Sequence, residues 1–259
     1  SASTLQALLD SVQHACGRDK SRPQLESIGL GIAMQETSGG AGEAKTVAQA
    51  EATNGHRMAV RRLQLDGAPL TGRILLPHES AAAIIRAIED SRAKEVAIGF
   101  DDQRRHMFFQ SASRGCALTL VTQLLSGVFP DLKQVIPTRR PIRARLNAGA
   151  LIAAIERARL IVSPTTSAVR LSFLTNELRL EVANPDKGTS TESLEASIDS
   201  AGFHVGLNVN YLLDFLKHLP SEDVAIEAAG ELDPVLFRPW GEAYSSTLDH
   251  LGVVMPIRL

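Results

Sequence analysis

The sequence predicts an α+β protein built from two repeated domains, each with two helices packed on antiparallel sheet. Three observations support this fold class. Apolar residues recur at helical spacing in a few short segments, and short β-rich segments lie between them. The order of these segments in the first half then recurs in the second half. At 259 residues with 44% apolar content, the chain can form two ordinary cores.

The first half begins with a predicted helix. Apolar side chains recur at helical spacing over residues 5–12, and Gly17 is suited to end the helix. Strands are predicted over 28–34 and 57–65. Between them, residues 35–50 are polar, glycine-rich and poor in β-branched side chains, which predicts a long mobile hairpin.

A second helix is predicted over residues 75–90, where Ile84, Ile85 and Ile88 share one face. Charged turns then separate three short segments typical of strands. These strands are predicted over 96–100, 107–110 and 116–120.

The second half repeats this pattern. Residues 150–155 echo residues 7–12, an offset of 150 − 7 = 143 residues, and a helix over 209–216 corresponds to residues 81–88. Strands are predicted over 169–173, 177–183, 224–227, 235–238 and 253–257. Two prolines keep the linker at 136–141 extended, so the domains are predicted as 1–137 and 138–259.

The composition excludes several classes of protein. A net charge of −2 argues against tight binding of nucleic acid through phosphates, although a weak basic face is compatible with it. The two cysteines lie 100 residues apart without metal-ligand spacing, which indicates ordinary buried thiols in a reducing compartment. We find no membrane-spanning run and no signal peptide, so we expect a cytoplasmic protein.

The sequence contains no constellation that predicts catalysis. Residues 40–46 superficially suggest a phosphate-binding loop, but Ala44 stands where that motif needs glycine before the lysine. Neither a metal-binding histidine pair nor a nucleophile motif is present. We therefore expect no intrinsic enzyme activity, no metal and no cofactor. An unrelated two-domain α+β enzyme stays an alternative, which a cluster of perturbed carboxylates or histidines in a deep polar pocket would favour.

Six segments carry a resemblance to a known family. The C-terminal sequence VVMPIRL, the turn TNGHRMA and the segment GVFPDLKQVIP are the most informative, and the others are FHVGLNVNYLLD, the Asn184–Pro185 turn and PVLFRP. Together they resemble the β subunit of bacterial DNA polymerase III, the sliding clamp. The resemblance spans nearly the whole chain and implies two DNA-clamp domains, equivalent to the middle and C-terminal domains of a three-domain subunit.

The resemblance implies a DNA sliding clamp, or processivity factor, that tethers polymerase to DNA through a peptide-binding cleft. The expected partners are duplex DNA, the replicative polymerase, the clamp loader and repair polymerases. Such clamps do no bond chemistry, although the family is conventionally classed with DNA-directed DNA polymerase. The alternative is a reduced clamp paralogue that acts as a peptide-binding adaptor without encircling DNA.

The family forms a homodimeric ring. The first strand of the middle domain has no counterpart here, so the chain is either a fragment of a longer subunit or a short paralogue. For this chain alone we expect a monomer or a non-native oligomer, and no membrane partner.

The resemblance also implies two sets of site residues. The peptide-binding cleft is expected at Leu25, Thr53, Gly55, His56, Arg57, Met58, Pro130, Val135, Pro234, Val253, Val254, Met255, Pro256, Ile257 and Arg258. The DNA-facing set is Arg18, Lys20, Arg22, Arg86, Arg157 and Lys217. For the apolar cleft residues, plain core packing is the alternative role, and for the basic residues it is solvated surface charge.

Some family positions are altered. The cleft normally has an arginine pair where this chain has Lys133 and Gln134, and a basic pair at the second helix is replaced by His78 and Glu79. The resemblance therefore implies a retained cleft beside a DNA-facing surface with reduced positive charge.

Overall fold

The structure is a computed structural model that describes residues 1–19, 21–35, 45–64, 70–113, 116–241 and 249–259. The chain divides into two compact units, Ser1–Pro130 and Asp131–Leu259. The domain boundary predicted from sequence, after residue 137, lies seven residues beyond this division (137 − 130 = 7). We call the units unit 1 and unit 2.

The described residues of unit 1 form two α-helices and two antiparallel sheets. Its elements are α1 (Ala2–Gln13), a 3-10 helix (Pro23–Glu26), β1 (Ser27–Gln35), β2 (Lys45–Thr53), β3 (Arg57–Gln64), β4 (Leu70–Pro77), α2 (His78–Ser91), β5 (Val96–Phe100), β6 (His106–Ser113) and β7 (Cys116–Gln123). Within this unit the strands pair in the orders β3-β2-β1-β4 and β5-β6-β7.

Unit 2 has the same plan with more strands. Its elements are a 3-10 helix (Leu132–Gln134), β8 (Ile142–Asn147), α3 (Ala148–Arg159), β9 (Ala168–Leu174), β10 (Glu177–Asn184), β11 (Gly188–Glu195), β12 (Ser197–Ile198), β13 (Phe203–Asn208), α4 (Val209–Leu216), β14 (Asp223–Ala228), β15 (Val235–Trp240) and β16 (His250–Val254). Within this unit the strands pair in the orders β12-β8-β14-β15-β16 and β11-β10-β9-β13. The predicted α+β class with antiparallel sheet is confirmed.

Side-chain caps start α1, α3 and α4. The Ser1 hydroxyl accepts a hydrogen bond from the backbone of Thr4, and the Asn147 and Asn208 side chains accept equivalent bonds from the first turns of α3 and α4. These caps satisfy backbone N–H groups that have no partner inside the helix. Each helix then buries its apolar face in the core of its own unit, as its periodicity predicts.

The internal repeat is visible in the buried helix positions. The buried positions 2, 5, 8, 9 and 12 of α1 correspond to 148, 151, 154, 155 and 158 of α3, an offset of 148 − 2 = 146 residues. The sequence echo at 143 was three residues short, because a shift of about one helical turn maps an apolar stripe onto itself. The second pair, 81–88 with 209–216, is confirmed. The buried positions 84, 85, 87 and 88 of α2 correspond to the buried positions 212, 213, 215 and 216 of α4.

Three other predictions are corrected. Residues 45–50 belong to strand β2 rather than to a loop, because Ala48 and Ala50 pack in the core despite their low β-propensity. The remainder of that predicted hairpin, 36–44, lies outside the described residues. Residues 75–77 end strand β4, and α2 begins only at His78. The last strand ends at Val254, so residues 255–257 are not part of it.

Candidate peptide-binding residues

In unit 1, the predicted cleft residues centre on the turn between β2 and β3. The Thr53 hydroxyl donates to the Arg57 carbonyl at 2.7 Å and accepts from the Gly55 amide at 3.1 Å. The Asn54 side chain accepts from the His56 amide at 2.9 Å and from the Arg57 amide at 3.0 Å. Gly55 has φ +89°, which favours glycine. The turn is therefore held internally and leaves His56 exposed.

Arg57 joins this turn to the end of α1. Its guanidinium donates to the backbone carbonyl of His14. Burial raises the pKa of the neighbouring Cys16 thiol to about 12, and the positive charge of Arg57 opposes that shift. Arg57 is thus tied to the core of unit 1 rather than free on the surface.

The other cleft residues of unit 1 vary in exposure. Met58, opposite Thr53 in the strand register, is 3% exposed, and Leu25 is 9% exposed beside Gly17. Pro130 is half-buried and directly follows the buried Phe129. Met58 and Leu25 therefore present little surface in this chain.

In unit 2, the C-terminal residues form two groups. Val253 and Val254 lie in β16 opposite Leu236 and Val235 of β15 and are buried, so they act as core residues of the sheet. The next three residues are half-buried and follow the end of the strand. They are Met255, Pro256 and Ile257. This group is the accessible apolar strip of the C-terminus, and Arg258 after it is exposed.

Two further predicted cleft residues of unit 2 lie in short connections. Val135 is half-buried at the end of the 3-10 helix that Asp131 caps by accepting from the Lys133 amide at 3.1 Å. Pro234 is half-buried just before β15. Both side chains leave part of their apolar surface accessible in unit 2.

Sequence reasoning missed a groove of about 610 Å³ on unit 2. Arg170, Glu181 and Thr191 lie opposite one another on β9, β10 and β11 and form part of its floor. Of the predicted cleft residues, Arg258 lines this groove. This groove could be recognised only from the pairing of β9, β10 and β11. The sequence analysis did not predict β11.

The structure gives acidic partners to much of the predicted DNA-facing set. Arg157 donates two hydrogen bonds to Glu192, at 2.9 and 2.6 Å, which lower the pKa of that carboxyl. Lys217 pairs with Glu156 at 2.9 Å and Arg22 with Asp19 at 3.4 Å. These contacts reduce the positive charge available to a phosphate.

The remaining basic residues differ from these. Arg18 and Arg86 are exposed without an acidic partner in the described part of the chain, and Arg86 donates to the Ala82 carbonyl at 3.3 Å. Lys20 lies outside the described residues.

Glu51 is a buried carboxyl with a shifted pKa. Burial raises the pKa of Glu51, while Arg73 and a hydrogen bond from Gln49 oppose the shift. Within the ranges that the structure covers, no group of three or more His, Cys, Asp or Glu side chains could hold a metal ion. The described helices also include none that is long and apolar enough to cross a membrane.

Comparison with known proteins shows which proteins this chain is similar to. Residues 133–258 match the family described as DNA polymerase III beta subunit, C-terminal domain. The chain is 25% identical over 209 residues to the beta sliding clamp of Staphylococcus aureus, and 26% identical over 212 residues to that of Staphylococcus epidermidis. Each match covers 80% of this chain and 52% of the relative, so the chain spans about half the length of these relatives.

Solved structures of sliding clamps are similar in fold to the whole chain. A DnaN sliding clamp (DNA polymerase III subunit beta) from Bartonella birtlesii, bound to griselimycin, superposes with a TM-score of 0.84 at 26% identity. That match covers 100% of this chain and 65% of the other. The beta sliding clamp of Caulobacter crescentus shares the fold with a TM-score of 0.85 at 23% identity, covering 100% and 64%.

Proposed function

We propose that this chain, a DNA polymerase III β sliding clamp-like protein, serves as the peptide-binding part of a DNA sliding clamp. In this function it tethers the replicative polymerase, and also the clamp loader and repair polymerases, through short peptides. Tethering raises the effective concentration of a polymerase at the primer end without any bond chemistry. We expect this function to be carried out in the cytoplasm, where bacterial DNA is replicated.

The observation that best supports this proposal is the internally bonded turn at Thr53–Arg57. A binding surface held in one conformation before its ligand arrives loses less conformational entropy on binding. The accessible strip at Met255–Ile257 supplies apolar surface of the kind that leucine and phenylalanine side chains bury. Burying two such side chains contributes about 3–6 kcal/mol, which suits exchangeable binding.

A fluorescence polarisation titration with a Gln-x-x-Leu-Phe peptide tests this function. We expect saturable binding by the chain, and weaker binding by a scrambled peptide of the same composition. Equal polarisation curves for the two peptides would count against a specific peptide site.

DNA contact is proposed to be weak and sliding. A ring that moves along DNA needs no tight phosphate contacts, and such contacts would slow it. The ion pairs of Arg157 and Lys217 support the adaptor as a second candidate function, in which the chain binds peptides and encircles nothing. Light scattering tests the adaptor: a closed oligomer of this chain that still binds the peptide would favour the clamp and count against the adaptor.

A further inference from the structure

Gly29 is the third residue of β1, between the core residues Ile28 and Leu30, on the face of the sheet opposite the core. A Cβ atom added to Gly29 would lie 3.0 Å from Cγ of Phe129 and 3.2 Å from each of its Cδ atoms. The φ angle of Gly29 is not in the left-handed region. The need for glycine here therefore comes from the close approach of the Phe129 ring, not from backbone conformation.

The Phe129 ring also contacts an arginine. The guanidinium carbon of Arg73, on β4, lies 5.8 Å from the ring centroid. Arg73 forms an ion pair with Glu51, which is 4% exposed and sits opposite Gly29 in the β1–β2 register. The ring therefore lies against Gly29 of β1 and beside a guanidinium that Glu51 holds in place.

The chain before Phe129 is attached to the same sheet. The Leu125 amide donates to the carbonyl of Leu75 at 2.9 Å, and Leu75 lies opposite Gly29 in the β1–β4 register. Pro130 follows Phe129 directly. Thr53 is two residues along β2 from Glu51, so both side chains are on one face of the sheet.

We infer that Gly29, Phe129 and Arg73 are positioning residues for the peptide site, because together they fix Pro130 beside the face that carries Thr53 and Met58. This inference rests on the proposed function. The bare backbone of Gly29 lets the ring seat, the ring holds the segment, and Arg73 limits the movement of the ring. None of the three residues has to touch the peptide itself.

Two matched substitutions on one strand test the inference. Gly29→Ala places a methyl group against the ring, whereas Gly31→Ala makes the same change on the same face of β1 with no atom within 4 Å. We expect Gly29→Ala to weaken binding of a Gln-x-x-Leu-Phe peptide about tenfold, and Gly31→Ala to bind as wild type does. Thermal unfolding of both variants separates lost stability from lost affinity.

A double-mutant cycle with Phe129→Ala gives the decisive comparison. Phe129→Ala alone should weaken peptide binding, and adding Gly29→Ala to it should cost little more, because the Cγ and Cδ atoms that the methyl group meets are gone. Wild-type affinity in Gly29→Ala, or costs that simply add, would overturn the inference. If Gly29→Ala does not fold, wild-type affinity in a folded Phe129→Ala overturns it equally. If wild type itself does not bind the peptide, the proposed function fails as well, which distinguishes the two failures.

Discussion

The backbone amide of Ile257 donates a hydrogen bond to the carbonyl of Gly206 at 2.9 Å. A Cβ atom added to Gly206 would lie 2.5 Å from the Ile257 carbonyl oxygen and 2.6 Å from Cγ of Leu259. The C-terminal residues thus continue along β13 after β16 has ended at Val254. Their position depends on a glycine some fifty positions earlier in the chain (257 − 206 = 51).

Gly206→Ala should displace the C-terminal strip and weaken peptide binding. The added methyl group meets the backbone carbonyl of Ile257, so relieving the clash shifts the C-terminal segment itself rather than only the end of a side chain. We expect an affinity loss of about tenfold, measured by fluorescence polarisation. Gly99→Ala is the control, because no atom lies within 4 Å of its Cβ position. Unchanged affinity in Gly206→Ala would show that this strip takes no part in the site.

Glu51 should make the stability of the protein depend on pH with a predictable sign. Burial raises the pKa of Glu51 above the ordinary value of 4.5. In the pH window between the unfolded-state pKa and the folded-state pKa, the folded state therefore binds more protons than the unfolded state. The free energy of unfolding of wild type relative to Glu51→Gln should therefore be largest below that window and fall as the pH rises through it. Urea denaturation at a series of pH values measures this difference.

Glu192 supplies the control of opposite sign. Hydrogen bonds from Arg157 lower its pKa, so its contribution is present above the ordinary value of 4.5 and is lost as the pH falls through the folded-state pKa. The difference between wild type and Glu192→Gln should consequently rise with pH. If both differences changed with pH in the same direction, the account of one of the two carboxyls would be contradicted.

Glu227→Gln should destabilise unit 2. Its carboxylate is 2% exposed, accepts from Nε of Arg238 at 2.9 Å and lies 3.0 Å from Nη1 of Arg140. Removing the charge leaves Arg238, itself 9% exposed, without compensation, at a cost of about 3 kcal/mol.

Glu156→Gln, which breaks the half-exposed pair with Lys217, should cost about 0.5 kcal/mol or less. Chemical denaturation followed by circular dichroism compares the two variants. Equal effects would mean that the buried pair contributes no more than a surface pair.

DNA binding by this chain should be weak and sensitive to salt. Among the basic residues, Arg86→Ala should lower the affinity for linear duplex at low salt by about twofold to threefold, with a salt dependence reduced by about one counterion. Arg157→Ala should change it less, because Glu192 already holds that guanidinium. Sub-micromolar binding of wild type at physiological salt would contradict weak contact.

Helices and buried strands could be predicted from sequence because their apolar periodicity is local. Residues 209–216 were predicted as a helix with the bounds that the structure has. Strand β11 was missed because its residues are mostly serine, threonine and glutamate, so no apolar alternation marks it. Strand β4 was not predicted, and its last residues, Leu75–Pro77, were assigned to the helix that follows it.

The candidate site was predictable only as a set of residues. The turn at Thr53–Arg57 is defined by residues near in sequence, so its motif could be read directly. The contacts of Gly29 with Phe129 and of Gly206 with Ile257 join distant residues, and a glycine that packs closely looks like any other glycine in sequence. The acidic partners of Arg157 and Lys217 likewise depend on folded geometry.

Peptide binding by full-length and C-terminally truncated chains is the most direct test of the central claim. We expect a Gln-x-x-Leu-Phe peptide to bind the full chain in a fluorescence polarisation titration, and to bind about tenfold more weakly after Pro256–Leu259 is removed, since two of the three residues of the accessible strip and its attachment to Gly206 are lost. A circular dichroism melt of both proteins checks that the truncated chain is folded. Equal affinity of two folded proteins for the peptide would contradict a peptide-binding site at the C-terminus of this clamp-like chain.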